Sequence, residues 1–381
     1  MAYELAVPGG VRMKKTFMKV PQFDPALTEE DIRCMMETIK ANWITEGEKT
    51  AALQEMLQNY CGAKHAILLP NGTLSLFVAL KVLGVGTGDE VLVPDFTFVA
   101  SATSVVLTGA KPVFIEVNAD DFNVAVDRIE EAITKKTRAI MPVHIYGQAA
   151  NMPEVIKIAR RHNLKIVEDA AQGIGVTYKK QHVGTFGDIG SFSFFADKTI
   201  TTGEGGAVLV NDDELAKEVM YFKNQGRLER GSFVHPRVGY NFRITDLQAA
   251  LAVNQLKRLP SIIERKVANE NTYKKHLSGV RKVEFPKVNG YGQRVPFRVN
   301  ILVPDPEALM KYLDSRGIST RRFFYPLHTQ PCFNRKNSGV AQKLENAAKI
   351  FERGISLPSG LSLSEKQIQY VCDSIKEFYG P

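Results

Sequence analysis

The sequence predicts an α/β fold, with a large domain around a mostly parallel seven-stranded sheet and a smaller C-terminal α/β domain. Between residues 62 and 210, short β-rich runs alternate with helical segments. These runs are apolar on both faces, as in strands that helices cover on both sides. After Pro260 a second unit follows with strands and helices of its own. In a sheet of this kind, ligands bind at the carboxyl ends of the strands.

Seven strands are predicted, at residues 66–69, 90–94, 111–116, 139–143, 165–168, 190–194 and 206–210. Amphipathic segments predict helices at 73–83, 126–134 and 153–162, and a longer helix at 245–259. The second unit has predicted strands at 297–303 and 320–324 and helices at 306–316 and 364–378. Pro260 ends the long helix. We therefore predict an N-terminal extension (1–19), a large domain (20–260) and a small domain (261–381).

The composition is that of an ordinary globular protein, with 44% hydrophobic and 24% charged residues. The net charge is +8, but the basic residues are scattered pairs, so we expect no nucleic-acid partner; a mild positive field would favour a phosphate-bearing substrate. The four cysteines are far apart, which predicts a cytoplasmic protein without a disulfide framework or zinc site. No apolar run has the ~18 residues of a membrane helix, and the N-terminus does not resemble a signal peptide.

Lys198 is the most informative residue. It follows an apolar, strand-like run and precedes the glycine-rich turn at 203–206. A lysine held there can condense with an aldehyde cofactor if the chain also supplies a carboxylate and a phosphate cradle. The alternative is a solvated lysine at a strand end.

Asp169 and Gln172 follow the predicted strand 165–168. A carboxylate at this position is placed to bond a protonated ring nitrogen, which keeps a pyridinium cofactor an effective electron sink. Gln172 could donate to the phenolate oxygen of the same ligand. A purely structural acidic residue at the strand end is the alternative.

A phosphate cradle is predicted at 70–73, where Gly72 permits close backbone approach. The free N–H groups of a helix start there, together with the Thr73 hydroxyl, suit a phosphate. A simple helix N-cap has the same sequence pattern. Ser193, five residues before Lys198, is either a further phosphate ligand or an ordinary strand serine.

The remaining candidates are aromatic, basic and amide side chains. Phe98 could stack on a flat ring or pack in the core, and Asn241 could cap the long helix or bond a phosphate. Arg321, Tyr325 and His328 belong to a run whose residue types suit a sugar-nucleotide pocket. His328 has no partner at metal-ligand spacing, so no metal site is expected.

Six motifs, taken together, resemble those of the DegT/DnrJ/EryC1/StrS aminotransferases. They are NGT (71–73), EDAAQ (168–172), GTFGD (184–188), SFFADK (193–198), GEGG (203–206) and GYNFR (239–243). The resemblance covers the chain from about Val20 onward, with the motifs in order and at matching spacing. It implies the type I (aspartate aminotransferase) fold of transferases that use pyridoxal 5′-phosphate (PLP). It also implies a homodimer that aminates keto groups on nucleotide-linked sugars.

The resemblance also implies roles for the candidate residues. Lys198 would form the Schiff base with PLP, and Asp169 would pair with the ring nitrogen. The other cofactor contacts would come from Gly72, Thr73, Phe98, Gln172 and Ser193, and from Asn241, which would reach the phosphate of the neighbouring subunit. L-Glutamate would be the donor, with pyridoxamine 5′-phosphate as the aminated form of the cofactor, and the ketosugar would contact Arg321, Tyr325 and His328.

Within the family, residues 193–203 and 322–329 look most like the enzymes that aminate GDP-4-keto-6-deoxy-D-mannose at C4 to give GDP-perosamine. Those enzymes tend to carry Glu where Gln172 stands. The segment 295–300 also lacks the His/Trp-containing pattern that they share before the strand that follows. UDP- or dTDP-linked sugars and amination at C3 therefore stay open.

Three other classes are less favoured. A sugar dehydratase on this fold would carry histidine at position 198, and a non-catalytic homologue would not need the complete set of site residues. A Rossmann dehydrogenase is disfavoured because no GxGxxG follows the first strand.

Overall fold

One large sheet organises the N-terminal part of the computed structural model, which describes residues 17–228, 231, 233–333, 339–340 and 343–380. In spatial order its strands are β1 (His65–Leu69), β9 (Gly206–Val210), β8 (Ile189–Ser193), β5 (Lys165–Asp169), β4 (Thr137–Ile140), β2 (Glu90–Pro94), β3 (Lys111–Ile115) and β12 (Gly339–Val340). Strand β9 is antiparallel to both neighbours, and the other pairs are parallel. The seven predicted strands and the mostly parallel sheet are confirmed, and the two-residue β12 extends its edge.

Helices cover both faces of this sheet and continue into the C-terminal unit. They are α1 (Glu29–Lys40), α2 (Glu48–Cys61), α3 (Gly72–Val82), α4 (Ala100–Leu107), α5 (Met152–Arg161), α6 (Asp213–Lys223), α7 (Asp246–Lys257), α8 (Leu259–Leu277), α9 (Pro306–Ser315), α10 (Asn346–Arg353) and α11 (Glu365–Tyr379). Three apolar cores lie against the large sheet. The first contains α2 and α7, the second α3 and α4, and the third α5. In the described part of the chain, no helix combines the length and apolarity needed to cross a membrane.

One predicted helix differs from the structure, and several of the observed helices, α4 among them, were not predicted. The segment 126–134 forms two short 3₁₀ turns, Val126–Arg128 and Glu130–Ala132, instead of an α-helix. Its buried Ile129 and Ala132 are three residues apart, a spacing that also fits 3₁₀ geometry. Helix α4 was not predicted, because its small and β-branched residues carry a weak helical signal and packing against α3 supplies its support.

The C-terminal unit has a three-stranded antiparallel sheet in the order β10 (Val299–Leu302), β13 (Gly354–Leu357) and β11 (Arg321–Arg322). A short hairpin, β6 (Thr177–Tyr178) with β7 (Gln181–His182), stands apart from both sheets. The core of the C-terminal unit also contains Val20, which bridges Ile318. Helix α8 contributes to this core and to one core of the large sheet. The predicted domain limits, 20–260 and 261–381, stay predictions, and most of the predicted extension 1–19 lies outside the described residues.

The topology brings several chain segments to one edge of the large sheet. Strands β1, β2, β5 and β8 all end at this edge, and the antiparallel β9 begins there. The residues just after those strand ends are the ones that face the candidate site.

Candidate active site

A cavity of about 800 Å³ opens at this edge. Its walls come from the start of α3, the loops that follow β2, β5 and β8, and the small C-terminal sheet. Among its lining residues are these predicted site residues: Gly72, Thr73, Phe98, Asp169, Gln172, Ser193, Lys198 and Arg321. Residues far apart in sequence meet because the carboxyl ends of parallel strands share one edge.

Lys198 is held by a tight loop after β8. Its N–H donates to the Phe195 carbonyl at 2.9 Å, and the Thr201 hydroxyl donates to the Phe194 carbonyl at 3.0 Å. The ammonium Nζ lies 4.5 Å from the centre of the Phe297 ring. Burial lowers the pKa of Lys198, against the opposing charge of Asp197. A lowered pKa increases the neutral fraction of the amine, which is the form that can attack a carbonyl carbon or accept a proton.

Asp169 ends β5 and is buried at the cavity wall. Its Oδ2 accepts a hydrogen bond from the Ser101 hydroxyl at 2.7 Å, and its Oδ1 accepts one from the Ala171 N–H at 3.1 Å. Ser101 in turn lies 3.0 Å from the Thr97 hydroxyl. This chain orients the carboxylate while leaving part of its accepting capacity for a ligand. The sequence did not predict Ser101 as a site residue, because it lies on helix α4, which was itself not predicted.

Gln172 has one end of its amide fixed by the protein. Its Oε1 accepts from the Tyr146 N–H at 2.7 Å, inside a buried setting. The NH₂ group at the other end can therefore donate to a ligand in the cavity.

The predicted phosphate cradle lies at the start of α3, at the cavity wall. The Asn71 side chain caps the helix by accepting from the Leu74 N–H at 2.9 Å. Gly72 and Thr73 occupy the first turn, where N–H groups have no partner within the helix. A Cβ on Gly72 would stand 2.8 Å from the Ser193 Cβ, and one on Gly206 would stand 2.6 Å from the Asn71 carbonyl carbon. Only glycine permits this close approach. The N-cap interpretation is confirmed by the Asn71 hydrogen bond, and it is compatible with the phosphate cradle, which stays a prediction.

Two arginines and a carboxylate form another part of the cavity wall. Arg298 and Arg321 both donate to Asp197 Oδ2, at 2.7 and 3.2 Å. Arg298 and Asp197 were not predicted as site residues from the sequence. The only signal for Arg298 was that the stretch 295–300 departs from the His/Trp-containing pattern. Phe98 lies on the same side, half exposed, with its ring centre 6.0 Å from that of Phe324.

Three predicted site residues do not line the cavity of this chain. Asn241 is exposed and bridges Asn224. The Tyr325 ring packs against Phe351, with ring centres 4.9 Å apart. The His328 Nδ1 lies 2.6 Å from Asp95 Oδ2, and this hydrogen bond raises the pKa of the imidazole. The ligand roles of these three residues stay predictions.

The donor set of the cavity fits PLP. A lysine with lowered pKa, a partly satisfied carboxylate, an amide donor and a glycine-lined anion cradle match the aldehyde, ring nitrogen, ring oxygen and phosphate of that cofactor. The fold and the site together define a Schiff-base-forming enzyme of the PLP-dependent transferase class.

Comparison with known proteins agrees with this class. The model of the DegT/DnrJ/EryC1/StrS aminotransferase family matches residues 25–376. The chain is 37% identical to GDP-perosamine synthase of Escherichia coli O157:H7, over 94% of this chain and 98% of that protein. It is 34% identical to a UDP-N-acetyl-3-dehydro-alpha-D-glucosamine 3-aminotransferase of Acidithiobacillus ferrooxidans, over 87% and 88%.

Solved structures of similar fold are also known. S. venezuelae DesV in complex with a ketimine intermediate superposes with a TM-score of 0.89 at 31% identity, covering 95% of this chain and 99% of that one. The PLP form of Streptococcus pneumoniae Spr1654 has the same TM-score at 27% identity, covering 94% and 98%. The chain therefore belongs to the DegT/DnrJ/EryC1/StrS aminotransferase family. It is a PLP-dependent sugar aminotransferase, as the six motifs implied.

Proposed function

We propose that the protein transfers the amino group of L-glutamate to GDP-4-keto-6-deoxy-D-mannose, giving GDP-perosamine. The cavity supports amine transfer, and the near full-length similarity to GDP-perosamine synthase supports this substrate. The similarity to a UDP-linked 3-aminotransferase makes UDP-linked keto sugars the second candidate.

In this proposal each site residue acts on a particular atom of the donor or of the cofactor. When bound, PLP supplies an aldehyde that takes up the amino group and a ring that delocalises negative charge. Lys198 Nζ removes the proton from the α-carbon of the donor and later returns one to the carbon that is aminated. Asp169, oriented by Ser101, keeps the proton on the ring nitrogen. The Gln172 NH₂ donates to the ring oxygen.

The phosphate is bound by the N–H groups at Gly72 and Thr73 with the hydroxyls of Thr73 and Ser193. We further propose a homodimer in which Asn241 reaches the phosphate of the other subunit. Exposed apolar side chains on and after α1, including Ile32, Met36, Ile39 and Trp43, offer a surface for a second copy. A cytoplasmic location suits the four free cysteines.

The test is a panel of GDP-, UDP- and dTDP-linked 4-keto-6-deoxy sugars incubated with enzyme, PLP and L-glutamate, with products identified by mass. We expect an aminated product from the GDP-linked 4-keto-6-deoxymannose and far less from the others. The Lys198→Ala protein is the control. It should fold normally but form no product, because it lacks both the amine that bonds the cofactor and the proposed base. Amination by that variant at the wild-type rate would refute the proposed chemistry, and product from a UDP- or dTDP-linked sugar alone would reassign the substrate.

A further inference from the structure

A second lysine is buried beside the candidate site. Lys266 lies on helix α8, is 6% exposed, and lines a pocket of about 20 Å³ that adjoins the main cavity. Four residues line both spaces, namely Asp197, Lys198, Phe297 and Arg298. The two lysines are far apart in sequence, yet both face this small pocket.

The ammonium group of Lys266 is held by backbone carbonyls. Its Nζ donates to the carbonyl oxygens of Pro296 and Phe297 at 3.4 and 3.3 Å, which is long for hydrogen bonds. Asp197, the carboxylate that lines the same pocket, is already shared by two arginines. Glu270, one turn further along α8, pairs with a lysine and an arginine. Within the part of the chain that the structure describes, Lys266 therefore forms no ion pair of its own.

A buried ammonium group of this kind costs stability. Burying a charge is unfavourable unless it is paired, and an apolar side chain of similar length would avoid that cost. Burial lowers the pKa of Lys266 from 10.5 to about 8, while the charges of Asp197 and Asp24 oppose this change and those of Arg298 and Lys198 add to it. Most molecules therefore keep the charge at neutral pH. A charge that is retained at a cost beside a reactive group indicates a functional role.

Phe297 connects the two lysines. Its carbonyl oxygen accepts a hydrogen bond from Lys266 Nζ, and the centre of its ring is 4.5 Å from Lys198 Nζ. Lys266 is buried and Lys198 is partly buried, so water screens their charges from each other only in part. A positive charge on Lys266 disfavours a second positive charge on Lys198, and this favours the neutral amine.

We propose that Lys266 is a positioning residue for the reaction, whose buried charge keeps the amine of Lys198 in its neutral, reactive form. This inference rests on the proposed function, in which Lys198 bonds PLP and moves the proton. Lys266 is not among the residues that line the larger cavity, so it acts through Lys198 and without contact to the substrate.

The experiment measures the protonation of Lys198 in the enzyme without PLP, by competitive acetylation across neutral and alkaline pH and mass spectrometry of the Lys198 peptide. Lys266→Met and Lys266→Gln both remove the charge, and glutamine keeps a donor for the two carbonyls. In both variants we expect Lys198 to be acetylated roughly 5-fold more slowly at neutral pH, because a smaller fraction of its amine is neutral. Lys274→Met is the matched control, since Lys274 lies on the same helix, pairs with Glu270 at 3.2 Å and lines neither space. Its Lys198 should be acetylated as in wild type.

A second readout separates this role from a structural one. With PLP bound, both Lys266 variants should need a higher pH than wild type to reach half of their maximal rate with L-glutamate. Their thermal unfolding temperature should stay equal or rise, because a buried charge has been removed.

Equal acetylation of Lys198 in wild type and in both Lys266 variants would overturn the inference. So would a change in Lys266→Met alone, because the effect would then come from the lost carbonyl contacts and not from the charge. If the absorbance of PLP on the wild-type enzyme, without substrate, equals that on Lys198→Ala, the proposed role of Lys198 fails instead.

Discussion

Two adjacent carboxylates at the end of β5 have opposite surroundings. Glu168 is fully buried, and its two oxygens accept four hydrogen bonds, one from His144 Nε2 and three from the backbone N–H groups of Gly184, Phe186 and Gly187. Asp169 accepts two bonds, from Ser101 and Ala171, and faces the cavity. Successive strand residues point to opposite faces of a sheet, so one carboxylate anchors a loop and its neighbour faces the cavity.

The difference lies in how many acceptor positions the protein itself fills. The Ala150 N–H donates to His144 Nδ1 at 3.1 Å, so the proton of the ring is on Nε2, where it donates to Glu168. Every strong acceptor direction of Glu168 is therefore used, and the carboxylate holds the loop 184–188 against the sheet. This loop is one of the six family motifs. Its backbone bonds Glu168, the residue that precedes the cavity-lining Asp169.

The largest expected effect is on activity, at Asp169. Asp169→Asn keeps the shape of the side chain but removes the negative charge that holds a proton on the ring nitrogen of PLP. We expect the half-reaction with glutamate to slow about 100- to 1000-fold, the size of effect seen when one electrostatic contact in an active site is removed. Stopped-flow absorbance measures the rate, and thermal unfolding should show little change. A wild-type rate would show that Asp169 does not contact the ring nitrogen.

The same chemical change one residue earlier should act on stability. Glu168→Gln places an NH₂ group against backbone N–H donors, so at least one buried donor loses its acceptor. We expect the free energy of unfolding to fall by about 3 kcal/mol, as measured by denaturant titration. The folded fraction should keep most of its activity. If Glu168→Gln unfolds like wild type but loses activity, the distinction between an anchoring and a ligand-binding carboxylate is wrong.

The third effect is a dependence of stability on pH, which comes from the buried His182 and reaches its full size only in acid. His182 Nε2 accepts from the Gly175 N–H at 2.8 Å, and burial lowers the pKa of the imidazole from 6.5 to about 4. The unfolded chain takes up this proton near pH 6.5 and the folded chain only near pH 4. Stability should therefore fall as the pH drops through this window, by up to about 3 kcal/mol.

Denaturant titrations at pH 7, 5.5 and 4.5 check this expectation. His182→Gln should show a shallower decline over the same range, because it lacks the group that titrates. Parallel declines in the two proteins would contradict a role for His182 in acid sensitivity.

Much of the site could be predicted because the relevant residues follow strand ends. Lys198, Asp169, Gln172 and Ser193 come directly or shortly after strands that run in the same direction, so their positions in sequence place them at one edge. Gly72 stands out because the start of α3 has to approach the end of β8 closely.

Other parts depended on contacts between distant segments. The pairing of Arg298 with Asp197 joins residues 101 positions apart. Ser101 reaches Asp169 across 68 positions. His328 is of a residue type that can bind a substrate, but in the structure its imidazole forms a hydrogen bond with Asp95. Periodicity reports only which face of an element is buried, and it carries no information on such side-chain partners.

The sequence by itself determined the positions of the seven strands along the chain and the mostly parallel α/β architecture, because hydrophobic period is a local property. It also carried the six motifs by which the chain resembles its family. Only the tertiary structure decided that Glu168 has its acceptor positions filled by the protein while Asp169 faces the cavity. It also decided that Arg298 lines the cavity and that the His328 imidazole bonds Asp95. Those assignments depend on which donors and acceptors at the cavity wall find a partner within the protein. The partners come from segments that are distant in sequence, so only the folded chain shows them.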